Sequence, residues 1–164
     1  MSIIGIDPGL SMTGWGIINM RGNKLEYIAS GTIKTNPSDN IGYRLKKIYT
    51  ELCDVIKLHN IAECAIEETF VNKNPSSSLK LGQARGIAIL AASNANINVT
   101  EYAPRLVKKA LVGTGRAEKH QVAIMVKHLL PRVILNTDHE SDALAVAICH
   151  ANTSASRRIV NQAR

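Results

Sequence analysis

Aromatic residues are nearly missing from this chain, with one Phe, one Trp and four Tyr in 164 residues. The core must therefore be aliphatic, built from Ile, Leu, Val and Ala. Cysteine is scarce as well: Cys53, Cys64 and Cys149 are widely spaced, odd in number, and form no CxxC pair. That spacing argues against a thiolate zinc site and fits reduced thiols packed as small hydrophobes. No basic-then-apolar leader opens the chain, and no apolar run reaches membrane-spanning length. A cytoplasmic location is expected. Acids are outnumbered, 13 Asp and Glu against 20 Lys and Arg, for a net charge of +7. An excess of that size in a small domain favours a polyanionic partner, nucleic acid ahead of an anionic membrane.

What is present suits one globular domain, since the length is typical of one and 45% of residues are hydrophobic. The chain is organised around its first strand, Ser2-Ile3-Ile4-Gly5-Ile6-Asp7. Its β-branched run has the pattern of a strand buried on both faces. A carboxylate then stands at its carboxyl end, before the breaker pair Pro8-Gly9. Such an acid is costly to bury without a partner. Asp7 either starts a turn, as Asp often does before Pro-Gly, or faces a cation.

Thr13 to Met20 and Leu25 to Ile33 read as two further strands, joined to the first by short turns in an antiparallel meander. Trp15 fits a packed anchor better than a base-stacking platform. From Ser38 to about Asn60 the apolar period becomes helical. Cys64-Ala65-Ile66 is a fourth short strand, and it too ends in carboxylates, Glu67 and Glu68. A helix between two such strands implies a crossover and a parallel pair, which brings Asp7 and Glu67 to one sheet edge.

The segment from Phe70 to Ser78 reads as a polar loop carrying the only Phe, which either wedges into a base step or folds back on the core. Leu79 to about Ala95 is a helix with Gly82 and Gly86 four apart, a flat face for close packing. Asn98 to Tyr102 is a fifth strand, followed by a helix over Ala103 to Val112. Next come the Gly113-Thr114-Gly115-Arg116 loop and a helix from Glu118 to Leu130. Lys108, Arg116 and Lys119 make this section basic and suited to phosphate contacts, although lysines on a helix are ordinarily a solvated face. Its Gly-x-Gly is too short for a phosphate-binding loop. Thr137 and Glu140 form a capping-box pattern opening the last helix, with His139 and Asp142 three apart on one face. From Thr153 the composition turns polar and basic, with Arg157, Arg158 and Arg164, and residues 153–164 read as a flexible tail.

Asp7, Glu67, His139 and Asp142 thus make an oxygen-rich cluster with one imidazole. Three carboxylates at close quarters do not all ionise without cations. Hard oxygen donors select Mg2+ or Mn2+ over zinc. Two such ions roughly 3.5–4 Å apart clamp an in-line displacement at phosphorus. With the basic surface, the reading is a metal-dependent phosphodiesterase acting on nucleic acid. Two rivals are an actin-like phosphate-binding domain, for which the chain is too short, and a non-catalytic nucleic-acid-binding module whose acids are structural.

Gly5-Ile6-Asp7-Pro8-Gly9, Ala65-Ile66-Glu67, Leu79 to Gly86, Ala117-Glu118-Lys119 and Ser141 to Ala145 resemble, in order, the RuvC family of Holliday-junction resolvases. The resemblance runs from about residue 2 to 152. It implies one RNase H-like α/β nuclease domain over residues 1–152, with a mixed five-stranded sheet and helices on both faces. It implies a homodimer that nicks two opposing strands of four-way junction DNA symmetrically, leaving 5′-phosphates, in recombination and repair. Mg2+ is the implied cofactor, two ions per site, with Mn2+ as a substitute, and the RuvA–RuvB branch-migration complex is the implied partner. Carried over by position, Asp7, Glu67 and Asp142 match the catalytic, metal-binding acids. The fourth ligand varies in the family; His139 is favoured, with Asp138 as the alternate. Phe70 matches an aromatic implicated in junction opening, and Lys108 and Lys119 match basic residues near the scissile phosphate. The glycine-faced helix matches the dimer contact.

Overall fold

The computed structural model describes residues 1–68 and 74–162, with side chains described as far as residue 154. Phe70 therefore lies outside the described residues, as do the tail arginine side chains. Five strands form one sheet: β1 (Ser2–Asp7), β2 (Met12–Arg21), β3 (Lys24–Lys34), β4 (Glu63–Glu67) and β5 (Asn98–Tyr102). Their order is β3-β2-β1-β4-β5. β1, β2 and β3 are the antiparallel meander expected from their short turns. β4 pairs parallel with β1, and β5 parallel with β4.

Helices cover both faces. α1 (Ile41–His59) and α2 (Pro75–Asn94) pack on one side, against Ile4, Ile6, Ile17, Cys64 and Ile66. α3 (Pro104–Val112), α4 (Lys119–Leu129) and α5 (Asp138–Gln162) pack on the other, where Ile3, Ile18 and Ala65 face Leu144 to Ile148. Ile3, Ile4 and Ile6 are all fully buried, as a central strand requires.

The two-residue period of a strand decides where the acids go. Ile3, Gly5 and Asp7 share the face that meets α5, and so do Glu63, Ala65 and Glu67 of the neighbouring strand. Since Ile6 is in register with Ile66, Asp7 and Glu67 follow side by side at the carboxyl end.

α5 reaches this face only because the sheet is thin beneath it. A Cβ on Gly5 would overlap the Ala143 carbonyl oxygen and lie 2.8 Å from the Ala147 nitrogen. One on Gly14 of β2 would overlap the His139 carbonyl oxygen and lie 2.8 Å from its Cβ. These glycines form a seat for the first turns of α5.

Two boundaries differ from the sequence reading. α2 starts at Pro75, inside the segment read as loop, because the Asn74 side chain accepts from the Ser76 and Ser77 amides at 3.0 and 3.3 Å. An Asn cap followed by Pro at the first helical position is a strong start signal. α5 does not end near residue 152 but continues to Gln162, through the stretch read as a tail.

Candidate active site

The cleft at the carboxyl ends of β1 and β4 has a volume of about 400 Å3 and is lined by Asp7, Glu67, Lys108, Lys119, His139 and Asp142 among others. Three separate elements, β1, β4 and α5, supply its acids and imidazole. Asp7 and Glu67 end neighbouring strands, while His139 and Asp142 project from the first turns of α5. The three-residue step along α5 keeps the last two on one face.

His139 Nδ1 lies 2.7 Å from Asp7 Oδ2, and Lys119 Nζ lies 3.2 Å from Asp142 Oδ2. Glu67, between these pairs, carries the strongest electrostatic signature. Burial, then the charges of Asp7 and Asp142, push its carboxyl up to about 8, against smaller lowering by Lys119 and Lys108. Asp142 is also raised, since burial outweighs its pairing with Lys119. His139 is raised chiefly by its hydrogen bond to Asp7. Lys119 is raised by the charge of Asp142.

His139, rather than Asp138, therefore reaches Asp7. Asp138 is the exposed first residue of α5 and is absent from the cleft lining. Lys108 and Lys119 line the cleft, whereas Arg116 is exposed on the loop before α4 and does not. Sequence reasoning missed the polar group beside the site, where Glu140 joins Ser30 and Thr32 of β3. The available signal was Ser30 and Thr32 two apart on a strand whose face should meet a helix.

The family model described as Crossover junction endodeoxyribonuclease RuvC matches residues 3–150. The chain belongs to the RuvC family. It is 48% identical over 157 residues to the RuvC of Rhizobium etli, covering 96% of this chain and 93% of that one. Against the RuvC of Azorhizobium caulinodans the identity is 51% over 150 residues, covering 92% and 89%. The solved structure of T. thermophilus RuvC in complex with Holliday junction substrate superimposes with a TM-score of 0.90 at 32% identity, covering 96% of each chain. The RNase H-like α/β architecture is as the resemblance implied.

RuvC nucleases are metal-dependent, and the donor set here fits a hard divalent cation: three carboxylates and one imidazole. Among the described residues, no three such side chains are placed as a finished coordination site; Asp7 is paired with His139 and Asp142 with Lys119. Burial first, and then the neighbouring charges of Asp7 and Asp142, disfavour the ionised form of Glu67 where no cation is bound.

A pH dependence follows. Glu67 ionises near 4.5 in the unfolded chain but near 8 in the fold, so the folded state holds an extra proton between those values. Stability of the metal-free protein therefore falls as pH rises across that window. His139 acts in the same direction: its contribution is complete below its ordinary 6.5 and is lost as pH climbs through the raised value. Thermal melts in EDTA from about pH 5 to 9 should show a falling Tm. Millimolar Mg2+ should flatten the upper part of that profile, and Glu67→Gln should flatten the EDTA profile. A Tm that rises with pH in EDTA would contradict the assignment.

Proposed function

We propose that this chain resolves four-way DNA junctions by paired, symmetric, metal-dependent nicks in two opposing strands, serving recombination and repair. The observation that carries the reading is the side-by-side exit of Asp7 and Glu67 from parallel strands beneath His139 and Asp142. Family membership supplies the substrate class, and the net charge of +7 suits a polyanion.

Asp7, Glu67 and Asp142, with His139 as the fourth group, would hold a pair of Mg2+ ions, with Mn2+ as substitute. When bound, these ions lower the pKa of the attacking water and offset charge at the leaving 3′-oxygen. Lys119 and Lys108, which line the cleft, would hold the scissile phosphate there, and Asp142, now paired with Lys119, would be one of the carboxylates holding the metal. Asp7 engages His139 through Nδ1, which leaves Nε2 for the water or a cation. Asp138 takes no part. Arg116, outside the cleft, is a further contact to DNA, and Phe70 takes the junction-opening role of the aromatic that it matches in the family.

Symmetric cutting needs two such sites, and a homodimer through α2 provides them. Leu79 and Leu90 on this helix are 71% and 47% exposed, and the space over Gly82 and Gly86 is open. The RuvA–RuvB complex is the proposed partner and the cytoplasm the proposed compartment, in keeping with three free thiols. No helix among the described residues is long and apolar enough to cross a membrane.

The test uses a labelled synthetic four-way junction beside linear duplex of the same sequence, with and without Mg2+. Paired symmetric nicks in the junction alone, with 5′-phosphate ends and only with metal, are expected. Binding without cleavage on junctions carrying T-rich sites would move the reading to a junction-binding module.

A further inference from the structure

Glu140 is 3% exposed and, among the described residues, its carboxylate forms no ion pair with Lys, Arg or His. A buried carboxylate without a cation is costly unless donors surround it. Here they do. Oε2 accepts from Ser30 Oγ at 3.0 Å and from the Asn136 amide at 3.4 Å, and Thr32 Oγ1 lies 3.5 Å from Oε1. Ser30 also meets the Tyr27 hydroxyl at 3.1 Å, and Thr32 meets Thr137 Oγ1 at 2.7 Å.

Capping alone does not account for this arrangement. Half of the capping box is present, since the Glu140 amide donates to Thr137 Oγ1 at 3.2 Å. The returning arm is directed elsewhere, to Asn136 and across to β3. α4 shows what a plain box looks like: Glu118 and Gln121 close it reciprocally, both exposed. Glu140 instead spends a buried charge on joining α5 to the edge strand of the sheet. Its neighbours on the helix are His139 and Asp142, and the Gly14 seat sets the height of the same turn.

We infer that Glu140 is a positioning residue for the nuclease site: a clamp to Ser30 and Thr32 that fixes the rotation of the first turn of α5. This inference rests on the proposed function for its kinetic consequence. The seat on Gly14 fixes how close the turn comes, and the clamp fixes which way it faces. Together they direct His139 at Asp7 and Asp142 into the cleft. The role is geometric. A Gln with its oxygen at the Oε2 position still accepts from Ser30 and Asn136, and its amide can donate to Thr32.

The experiment compares Glu140→Ala, Glu140→Gln and the double variant Ser30→Ala/Thr32→Val with the unaltered protein. Single-turnover junction cleavage, junction affinity in EDTA, and Mn2+ affinity by electron paramagnetic resonance are measured for each. Glu140→Ala should lower the cleavage rate about 10–100-fold and weaken Mn2+ binding about tenfold, with junction affinity unchanged. The β3 double variant should reproduce that pattern, and Glu140→Gln should restore most of it. Asn40→Ala, which removes the cap of the distant α1, serves as control: it lowers Tm without moving either readout.

Wild-type rate and Mn2+ affinity in Glu140→Ala would overturn the inference. So would a Glu140→Gln protein as impaired as Glu140→Ala, since the charge itself would then matter. If Glu140→Ala does not fold, the β3 double variant decides in the same terms. Should the unaltered protein nick no junction, the proposed function fails, and Mn2+ affinity still tests the clamp.

Discussion

Asp7→Asn is expected to slow junction cleavage by at least about 10³-fold, a barrier increase of about 4 kcal/mol, while junction binding stays equal or tightens. Asp7 sits at the centre of the site's electrostatics. It accepts from His139, raises Glu67 through its charge, and ends the most buried strand of the sheet. The amide keeps the size and shape, so the fold survives, but it removes one negative charge facing the phosphate and one hard donor. Single-turnover cleavage in Mg2+ and binding in EDTA separate the two effects. His139 should also titrate lower in the variant, visible by NMR, because its strongest raising partner is gone. Loss of cleavage together with loss of folding would instead make Asp7 structural. Near-normal cleavage would remove it from the site.

Gly5→Ala is expected to destabilise the protein by about 3 kcal/mol or more, lowering Tm by roughly 10 °C, and to abolish cleavage in what still folds. The added methyl would overlap the Ala143 carbonyl oxygen and crowd the Ala147 amide, both on α5. Neither backbone group can swing aside as a flexible side chain would, so the helix as a whole must rise off β1. Lifting α5 carries His139 and Asp142 away from Asp7 and Glu67. Gly86→Ala provides the contrast, because open space lies over Gly86 on exposed α2. There the monomer should gain up to about 1 kcal/mol from helix propensity, and any loss should appear only in dimer affinity. Thermal melts and sedimentation at several concentrations measure both. A Gly5→Ala protein with unchanged Tm would show that α5 is less tightly seated than the contacts indicate.

Much of this was legible in the sequence, for local reasons. Ile3, Ile4 and Ile6 announce a central strand, and the two-residue period together with the parallel pairing of β1 and β4 puts Asp7 and Glu67 on one face. The apolar period from Ile41 to Ile56 announces the crossover that makes β1 and β4 parallel. The start of α2 was legible too, in Asn74-Pro75, but three serines after it read as loop. What the sequence could not display were pairings between distant elements. His139 with Asp7, Lys119 with Asp142 and Glu140 with Ser30 span 132, 23 and 110 residues. No local pattern encodes such contacts, and Glu140 was further hidden by a sufficient local explanation as a capping residue. The length of α5 was obscured because polar, basic composition can cover a solvent-facing helix as readily as a tail.

The order of elements along the chain carries a consequence for biosynthesis. β1 is made first and α5 last, yet Asp7 on the one must meet His139 on the other. While the ribosome is still extending the chain, the glycine seat and the whole apolar face of β1 have no cover. Asp7 and Glu67 then stand in water without the imidazole and the third carboxylate. On the proposed function, cleavage by a nascent chain waits until α5 has emerged and docked. The same geometry makes that interval its most aggregation-prone, since the uncovered face belongs to the middle of the sheet.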